Sequence, residues 1–384
     1  MRVVLFTETF LPKMDGIVRV VCLLADHLQA RGHEVLIVAP QLSAEAVTDY
    51  HGMRVLTVGG IPIPWYQELR ITPPSRRVYR ALRDFQPDVA HFFHPVTIGL
   101  PGFLMAKRLG IPTLMSYHLN FAELAKHFTF LGLNIGLISP LINLATRRFF
   151  NWADYALAPS RAVRDHMQAI GIADVGLWKR GVDAERFHPR YADPATRHRI
   201  SDGHPERLLL LYVGRLSAEK RIQDLRPLLD HLPDAHLVLV GDGPHRAAYE
   251  RTFAGTATTF TGHIDGDELA RIYASADIFV FPSSLETFGL VVTEAMAAGL
   301  PVVAAQVGGI PDVVDEGVTG YTFPIGDVAT LRAGVQRLAD DRAHRQAMGR
   351  AARAYAATQT WAHMNDEVID HYRRIASLIA TATR

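Results

Sequence analysis

Short, uninterrupted apolar runs recur along this chain, each followed by a stretch whose apolar positions repeat at helical spacing. Residues 3–6, 35–39, 89–93, 113–117 and 155–158 read as strands, and residues 17–31 as the first long helix. Strands without polar alternation are buried on both faces, which predicts a parallel sheet covered by helices on either side. The same rhythm restarts in the second half at residues 208–213, 237–240, 258–261, 278–281 and 302–304. Between the halves lies the proline-punctuated connector His188-Pro189-Arg190-Tyr191-Ala192-Asp193-Pro194. The pattern predicts an α/β protein of two Rossmann-like, doubly wound domains, residues 1–190 and 191–362. Residues 363–384 are expected to form a helix crossing back to the first domain. Such sheets take ligands at their strand C-termini, so two of them predict a deep cleft.

Size and composition narrow the class. At 384 residues the chain exceeds one ordinary core, and 48% hydrophobic with 21% charged residues is ordinary for a soluble globular protein. A net charge of +1 argues against a nucleic-acid partner. The lone cysteine, Cys22, lies in an apolar helical run and is expected to be a buried thiol. With only Arg2 ahead of the first strand, the N-terminus offers no signal peptide, and a cytoplasmic location is the expectation.

Candidate chemistry gathers where strands end. Residues 283–301 carry Glu286 just before a predicted helix and Glu294 inside it, with Gly299 and Pro301 as its stop. A helix opening near residues 287–290 directs free N–H groups outward, a site for phosphate. Carboxylates beside such an anion suit the hydroxyls of a sugar and a ribose, although a surface helix with an acid at its dipole also fits. In Gly214-Arg215-Leu216-Ser217-Ala218-Glu219-Lys220, Ser217 reads as an N-cap that brings Arg215 and Lys220 to one helix mouth, two cations for a diphosphate. Gly241-Asp242-Gly243-Pro244 is explained by a tight turn. Gly16, after Asp15, permits close backbone approach to a ligand. His118 follows a strand and belongs at the ligand edge. His91 and His94 imitate a metal pair at a strand-to-loop transition, where their spacing defines no site, so no metal is assigned. Asp267 is read as the N-cap of a helix over 268–275, with Gly266 making the turn.

Together these pieces resemble glycosyltransferase family 4, a retaining family with the two-Rossmann GT-B fold. The carrying motifs are Glu286-x7-Glu294 with Phe288-Gly289-Leu290, Gly214-Arg215-Leu216-x-x-Glu219-Lys220, Asp15-Gly16, Tyr117-His118, and Gly181-Val182-Asp183 with Phe187 and Pro189. The resemblance implies that Arg215 and Lys220 hold the donor diphosphate, Glu294 the ribose and Glu286 the transferred sugar. Amides of Phe288, Gly289, Leu290 and Val291 would meet the sugar-diphosphate, Gly262, His263 and Ile264 would lie beside the base, and Gly16 would face the donor. His118 would stand near the sugar and acceptor, completing a catalytic set of His118, Arg215, Lys220 and Glu286. Two cations and helix amides would stabilise the departing diphosphate without a metal. No tightly bound cofactor is implied; the nucleotide-sugar is a substrate.

Thr7-Glu8-Thr9-Phe10-Leu11-Pro12 and Trp178-x-Arg180-Gly181-Val182-Asp183 are similar to the glycolipid mannosyltransferase and sulfolipid synthase subgroup. That likeness makes GDP-mannose the leading donor, with UDP-hexose next, and a lipid or glycolipid hydroxyl the acceptor. Trp65, Tyr66, Arg70, Arg76, Arg77, Arg80 and Arg83 add a basic, aromatic surface, and residues 128–145 are almost uncharged between Lys126 and Arg147. These features suit peripheral association with the inner face of the cell membrane. A buried helix pair with a basic rim explains them equally. A nucleotide-sugar epimerase of the same architecture and a non-enzymatic sugar-nucleotide sensor are the alternative functions.

Overall fold

The computed structural model describes residues 1–14, 16–43, 45–63, 66–93, 97–118, 129–130, 133–134 and 139–382. The chain divides into two compact units, Met1–Lys179 with Met364–Arg384, and Arg180–His363. The division falls before the connector that the sequence suggested, because residues 181–187 are built into the second unit. Gly181 packs against the backbone of Trp361 so closely that a Cβ would clash, Val182 bridges Thr360, and Phe187 is buried in that unit's core.

In the first unit, β1 (Arg2–Thr7), β2 (Glu34–Pro40), β3 (Asp49–Tyr50), β4 (Met53–Val58), β7 (Val89–Phe93), β8 (Thr113–Ser116), β11 (Tyr155–Ala158) and β12 (Val175–Leu177) form one sheet. Its order is β12-β11-β8-β7-β1-β2-β4-β3, parallel except for β3. Between β4 and β7 lies a separate hairpin of β5 (Ile61–Ile63) and β6 (Tyr66–Ile71), and beyond β8 a second hairpin of β9 (Thr129–Phe130) and β10 (Leu133–Asn134). Helices Arg76–Phe85, Gly99–Arg108, Ser139–Phe150 and Arg161–Ala169 share one core with the sheet through Val78, Leu82, Phe103, Phe150 and Met167. The helix Trp361–Ala382 returns to this unit, where its Asp366 takes hydrogen bonds from His27 in the helix Gly16–Ala30 and from Arg31 just beyond its end.

The described residues of 128–145 show no buried helix pair. They form the short hairpin followed by the helix Ser139–Phe150, which leaves Leu141 and Leu144 exposed. Arg70 is turned back on the first hairpin, donating to the carbonyls of Gly60 and Leu42, whereas Arg76, Arg77, Arg80 and Arg83 stand exposed on the helix Arg76–Phe85. Trp65 lies outside the described residues.

The second unit holds β13 (Leu208–Val213), β14 (Ala235–Val240), β15 (Thr258–Gly262), β16 (Ile278–Phe281), β17 (Val302–Ala305) and β18 (Gly320–Phe323). All pairs are parallel in the order β15-β14-β13-β16-β17-β18, the doubly wound order in which chain direction across the sheet reverses between β13 and β16. The run LLLLYV of β13 is buried almost throughout because helices cover both faces. The helix Leu290–Ala297 stops where the sequence said it should: Gly299 takes a φ of +83° and Pro301 follows. The helix Gly266–Ser275 instead begins earlier than expected, with Asp265 as its N-cap and Asp267 inside its first turn.

Candidate functional site

Three glycines end three neighbouring strands of the second unit. The N–H of Gly214 donates to Val240 at 2.9 Å, and that of Gly241 to Gly262 at 2.8 Å. A Cβ on Gly241 would collide with the carbonyl of Gly214, and one on Gly243 would meet the Leu216 carbonyl at 2.5 Å. Close backbone approach, beyond a tight turn, therefore demands these glycines, and the result is a ledge of bare backbone at the strand C-termini. Gly262 sits at its end with a φ of +78°, next to exposed His263 and partly buried Ile264.

The switch point between β13 and β16 carries the charges. Lys220 lies in the short 3-10 turn Ala218–Lys220, and its Nζ donates to Oε2 of Glu286 at 3.2 Å and to the Leu285 carbonyl at 3.3 Å. The same ammonium stands 5.3 Å from the centre of the Phe281 ring at the end of β16. Two of its three donors are thus used, leaving one for a further acceptor. The sequence assigned Lys220 and Glu286 to different parts of a ligand; the structure pairs them, since two partly buried opposite charges at adjoining strand ends stabilise each other. The two loops are stitched together by the Glu219 carbonyl, which accepts from Ser284 N–H at 2.8 Å and Ser284 Oγ at 2.9 Å.

Ser217 does not cap a helix through its side chain. Its hydroxyl donates to Glu219 Oε1, because the segment forms only a 3-10 turn and the neighbouring carboxylate is the better acceptor. Burial raises the Glu219 carboxyl, yet the bond from Ser217, the backbone N–H and the charges of Lys220 and Arg215 outweigh it and leave the group lowered. Both cations therefore flank Glu219, and Arg215 is exposed on the loop leaving Gly214.

Glu286 also accepts from the N–H of Thr287 at 3.0 Å. The helix then starts at Leu290 with Gly289 as N-cap at a φ of +90°, and Val292 and Thr293 donate back to the Gly289 carbonyl. Amides of Leu290 and Val291 have no acceptor among the described residues, the free N–H pair expected of a helix start. Phe288 is buried in the core and anchors this loop. Glu294, 7% exposed, takes the Tyr273 hydroxyl at 3.2 Å on Oε2.

Two supports went unread in the sequence. A Cβ on Gly308 would strike the Glu286 carbonyl, and one on Gly309 would sit 2.9 Å from the Phe288 Cα, so this glycine pair sets where Glu286 stands. Two adjacent glycines a few residues beyond a predicted strand were the available signal. Tyr273, the support of Glu294, carried none, since nothing local distinguishes it from an ordinary core tyrosine.

In the first unit, His118 follows β8 and stacks on Phe93 at the end of β7, centroids 5.3 Å apart, with Trp178 edge-on at 6.2 Å. Its neighbour Tyr117 faces the core, where burial pushes the phenol up to about 12. His91 lies behind Phe93, between the Tyr372 hydroxyl and Ser116 Oγ, both at 2.5 Å, a core histidine; His94 lies outside the described residues. No group of three or more metal-ligating side chains occurs among the described residues. Glu8, leaving β1, accepts from the amides of Thr97, Ile98 and Gly99 at 3.0–3.2 Å, holding the start of the helix Gly99–Arg108. Gly16 opens the helix Gly16–Ala30, exposed, and a Cβ there would meet nothing within 4 Å among the described residues. Asp15 lies outside them. Cys22 is buried.

Comparison with known proteins agrees with this fold. Residues 14–186 match the family model described as Glycosyltransferase Family 4, and residues 195–355 that of Glycosyl transferases group 1. The chain is 36% identical over 384 residues to a GDP-mannose-dependent alpha-mannosyltransferase of Mycobacterium tuberculosis, covering 97% of each. It is 37% identical over 343 residues to the sulfoquinovosyl transferase SQD2 of Arabidopsis thaliana, covering 87% of this chain and 66% of that one. Among solved structures, Anabaena HepE in complex with UDP superposes with a TM-score of 0.78 at 18% identity, covering 97% of this chain and all of the other. Sucrose-phosphate synthase of Thermosynechococcus elongatus does so at 0.76 and 20%, covering 98% and 99%. With a Rossmann-like sheet in each unit, as in the GT-B fold, and a relative of this identity along nearly its whole length, the chain belongs to glycosyltransferase family 4.

Proposed function

We propose that this protein is a retaining hexosyltransferase that takes mannose from GDP-mannose, or another hexose from a UDP-sugar, and transfers it to a hydroxyl of a lipid-linked acceptor. The observation that carries the reading is the Lys220–Glu286 pair at the switch point, one ammonium donor still open, beside the free amides of Leu290 and Val291. Cation and amides suit a diphosphate, and the carboxylate next to them suits sugar hydroxyls.

In the reaction, the bond between the anomeric carbon and the diphosphate breaks, and negative charge grows on the leaving oxygens. Lys220, Arg215 and the helix amides meet that charge, so they act most strongly in the transition state. Glu286, held by Thr287 N–H and Lys220, orients the sugar and is not assigned as a nucleophile. The leaving phosphate accepts the acceptor's proton on the same face, which retains the anomeric configuration. Glu294 holds the ribose, with Tyr273 fixing its carboxylate, and no metal takes part. His118, its ring set by Phe93 and Trp178, serves the sugar and acceptor.

GDP-mannose leads because the name of the mannosyltransferase relative, matched end to end, specifies that donor. Thermal-shift titration with GDP-, UDP- and ADP-sugars, followed by transfer to lipid extracts, tests this. The donor that raises the melting temperature should also be the one consumed. Donor consumption yielding only an epimerised sugar, with no glycolipid formed, rejects the reading in favour of an epimerase.

The acceptor reading extends to a membrane surface. Leu141, Leu144 and Trp152 are exposed beside Arg147 and Arg148, and Arg76, Arg77 and Arg80 stand on another helix of the same unit. Exposed apolar side chains among arginines suit peripheral binding to anionic lipid. No helix among the described residues is long and apolar enough to cross a membrane. Sedimentation with anionic vesicles should capture the protein at low salt, and Leu144→Ser with Trp152→Ser should release it; absence of binding at low salt rejects the idea.

A further inference from the structure

Strands β13, β14, β16 and β17 start at the edge of their sheet opposite the glycine ledge. Around those starts lies a cavity of about 680 Å3, bordered by Arg197, Arg207, Asp234, Asp277, Arg342 and Arg345 among others. That volume falls among small-molecule sites, which run from about 300 to 1,000 Å3. A six-residue strand spans roughly 20 Å, so the cavity and the ledge are separate places.

The four arginines differ in what they already hold. Arg197 commits four of its five N–H donors, to the carbonyls of Pro205, Ser275 and Arg207 and to the Asp277 carboxylate at 2.7–2.8 Å. Asp277 is equally committed, since it also accepts from the Leu209 N–H at 2.9 Å. This pair neutralises itself and acts as wall. Arg345 sends Nη1 to the carbonyls of Leu338 and Ala339 and keeps its other donors. Arg207 and Arg342 have no side-chain hydrogen bond and no ion pair among the described residues, and Arg342 is exposed. The cavity therefore presents two uncommitted guanidinium groups, with a third partly free, the exposed carboxylate of Asp234, and that of Glu206, which is turned to His204 at 3.1 Å. Guanidinium forks match the oxygen pairs of a phosphate, and a carboxylate accepts from hydroxyls.

We propose that this cavity binds a phosphorylated polyol of sugar-phosphate size, with Arg207 and Arg342 on the phosphate and Asp234 on the hydroxyls. It is distinct from the donor ledge, so the two ligands bind together. Calorimetric titration of the full chain with glucose 6-phosphate, mannose 6-phosphate and inorganic phosphate tests it, with and without saturating nucleoside diphosphate. Sugar phosphate should bind more tightly than inorganic phosphate and should not be displaced by the nucleotide. Arg207→Ala with Arg342→Ala should weaken it by about tenfold or more while leaving the melting temperature and nucleotide affinity unchanged. Asp234→Asn should weaken the sugar phosphates and spare inorganic phosphate. No heat with any of the three probes, displacement by nucleotide, or unchanged affinity in the double arginine variant overturns the proposal. Each result leaves the donor reading to its own test, because neither arginine belongs to the ledge.

Discussion

Replacing Lys220 by methionine keeps an apolar stem over Phe281 and removes the ammonium, and the structure separates its two consequences. At 3.2 Å the attraction to Glu286 is about 5 kcal/mol at an effective dielectric near 20. The side chains are 17% and 19% exposed, so lost hydration cancels most of that, and the pair contributes about 1–2 kcal/mol net. Glu286 retains the N–H of Thr287, which limits the damage to the fold. The melting temperature should fall by about 2–8 °C for a unit of this size. Turnover should suffer far more. A charged donor aimed at the developing diphosphate is worth about 3–4 kcal/mol in the transition state, a loss of roughly 100- to 1,000-fold in kcat. Initial rates with the donor varied, alongside thermal melts, read both effects. A variant with the expected melting shift but kcat/KM within about threefold of the parent would refute the diphosphate role and leave Lys220 as a prop for Glu286.

The remaining expectations follow from other contacts. Gly308→Ala, at a φ of +54° with its new Cβ against the Glu286 carbonyl, should cost about 2–4 kcal/mol of stability and displace Glu286, so that denaturant midpoint and turnover fall together. Glu294→Gln should raise the donor KM by about tenfold with little change in kcat, and Tyr273→Phe should give a smaller effect in the same direction; an unchanged KM in both removes the ribose assignment. His118→Ala should lower kcat with little change in nucleotide affinity, measured by titration with the nucleoside diphosphate. Asp154 tests the pH dependence of the first unit. Burial raises its carboxyl, but Lys107 at 2.7 Å and the N–H and hydroxyl of Thr113 leave it below its ordinary value of 3.8. A lowered carboxyl stabilises the fold fully above 3.8 and loses that contribution as pH falls through the folded value beneath it. Asp154→Asn should therefore cost about 1–3 kcal/mol at neutral pH, and the gap to the parent should narrow in acid urea titrations; a gap constant with pH refutes the ionic origin.

The core strands could be read from local pattern because they are buried on both faces. LLLLYV, IFVF and VAHFF carry no alternation to blur them, and the structure forms β13, β16 and β7 there. Less visible were β4, whose MRVLTV is interrupted by exposed Arg54, and the edge strand β18, whose GYTF is only partly buried. Both hairpins outside the main sheets also went unread; the strands of the second, Thr129–Phe130 and Leu133–Asn134, are too short to establish a period.

The candidate site divides along the same line. Local sequence was enough for the helix Leu290–Ala297 with its glycine ends, for His118 after a strand and for the glycines at strand termini, because caps, stops and bare backbone are properties of a few adjacent residues. Which side chains meet was decided only in three dimensions. Lys220 and Glu286 lie 66 positions apart, and Tyr273 reaches Glu294 across 21. Gly308 and Gly309 owe their identity to a segment that precedes them by a whole strand. The order of a doubly wound sheet brings such residues together, and no local preference encodes the order in which strands pair. Sequence by itself thus determined the class of fold and offered the residues proposed to handle a sugar-diphosphate. Tertiary structure decided the pairing of cation with carboxylate, since a contact between charges depends on their distance in space and not on their distance along the chain.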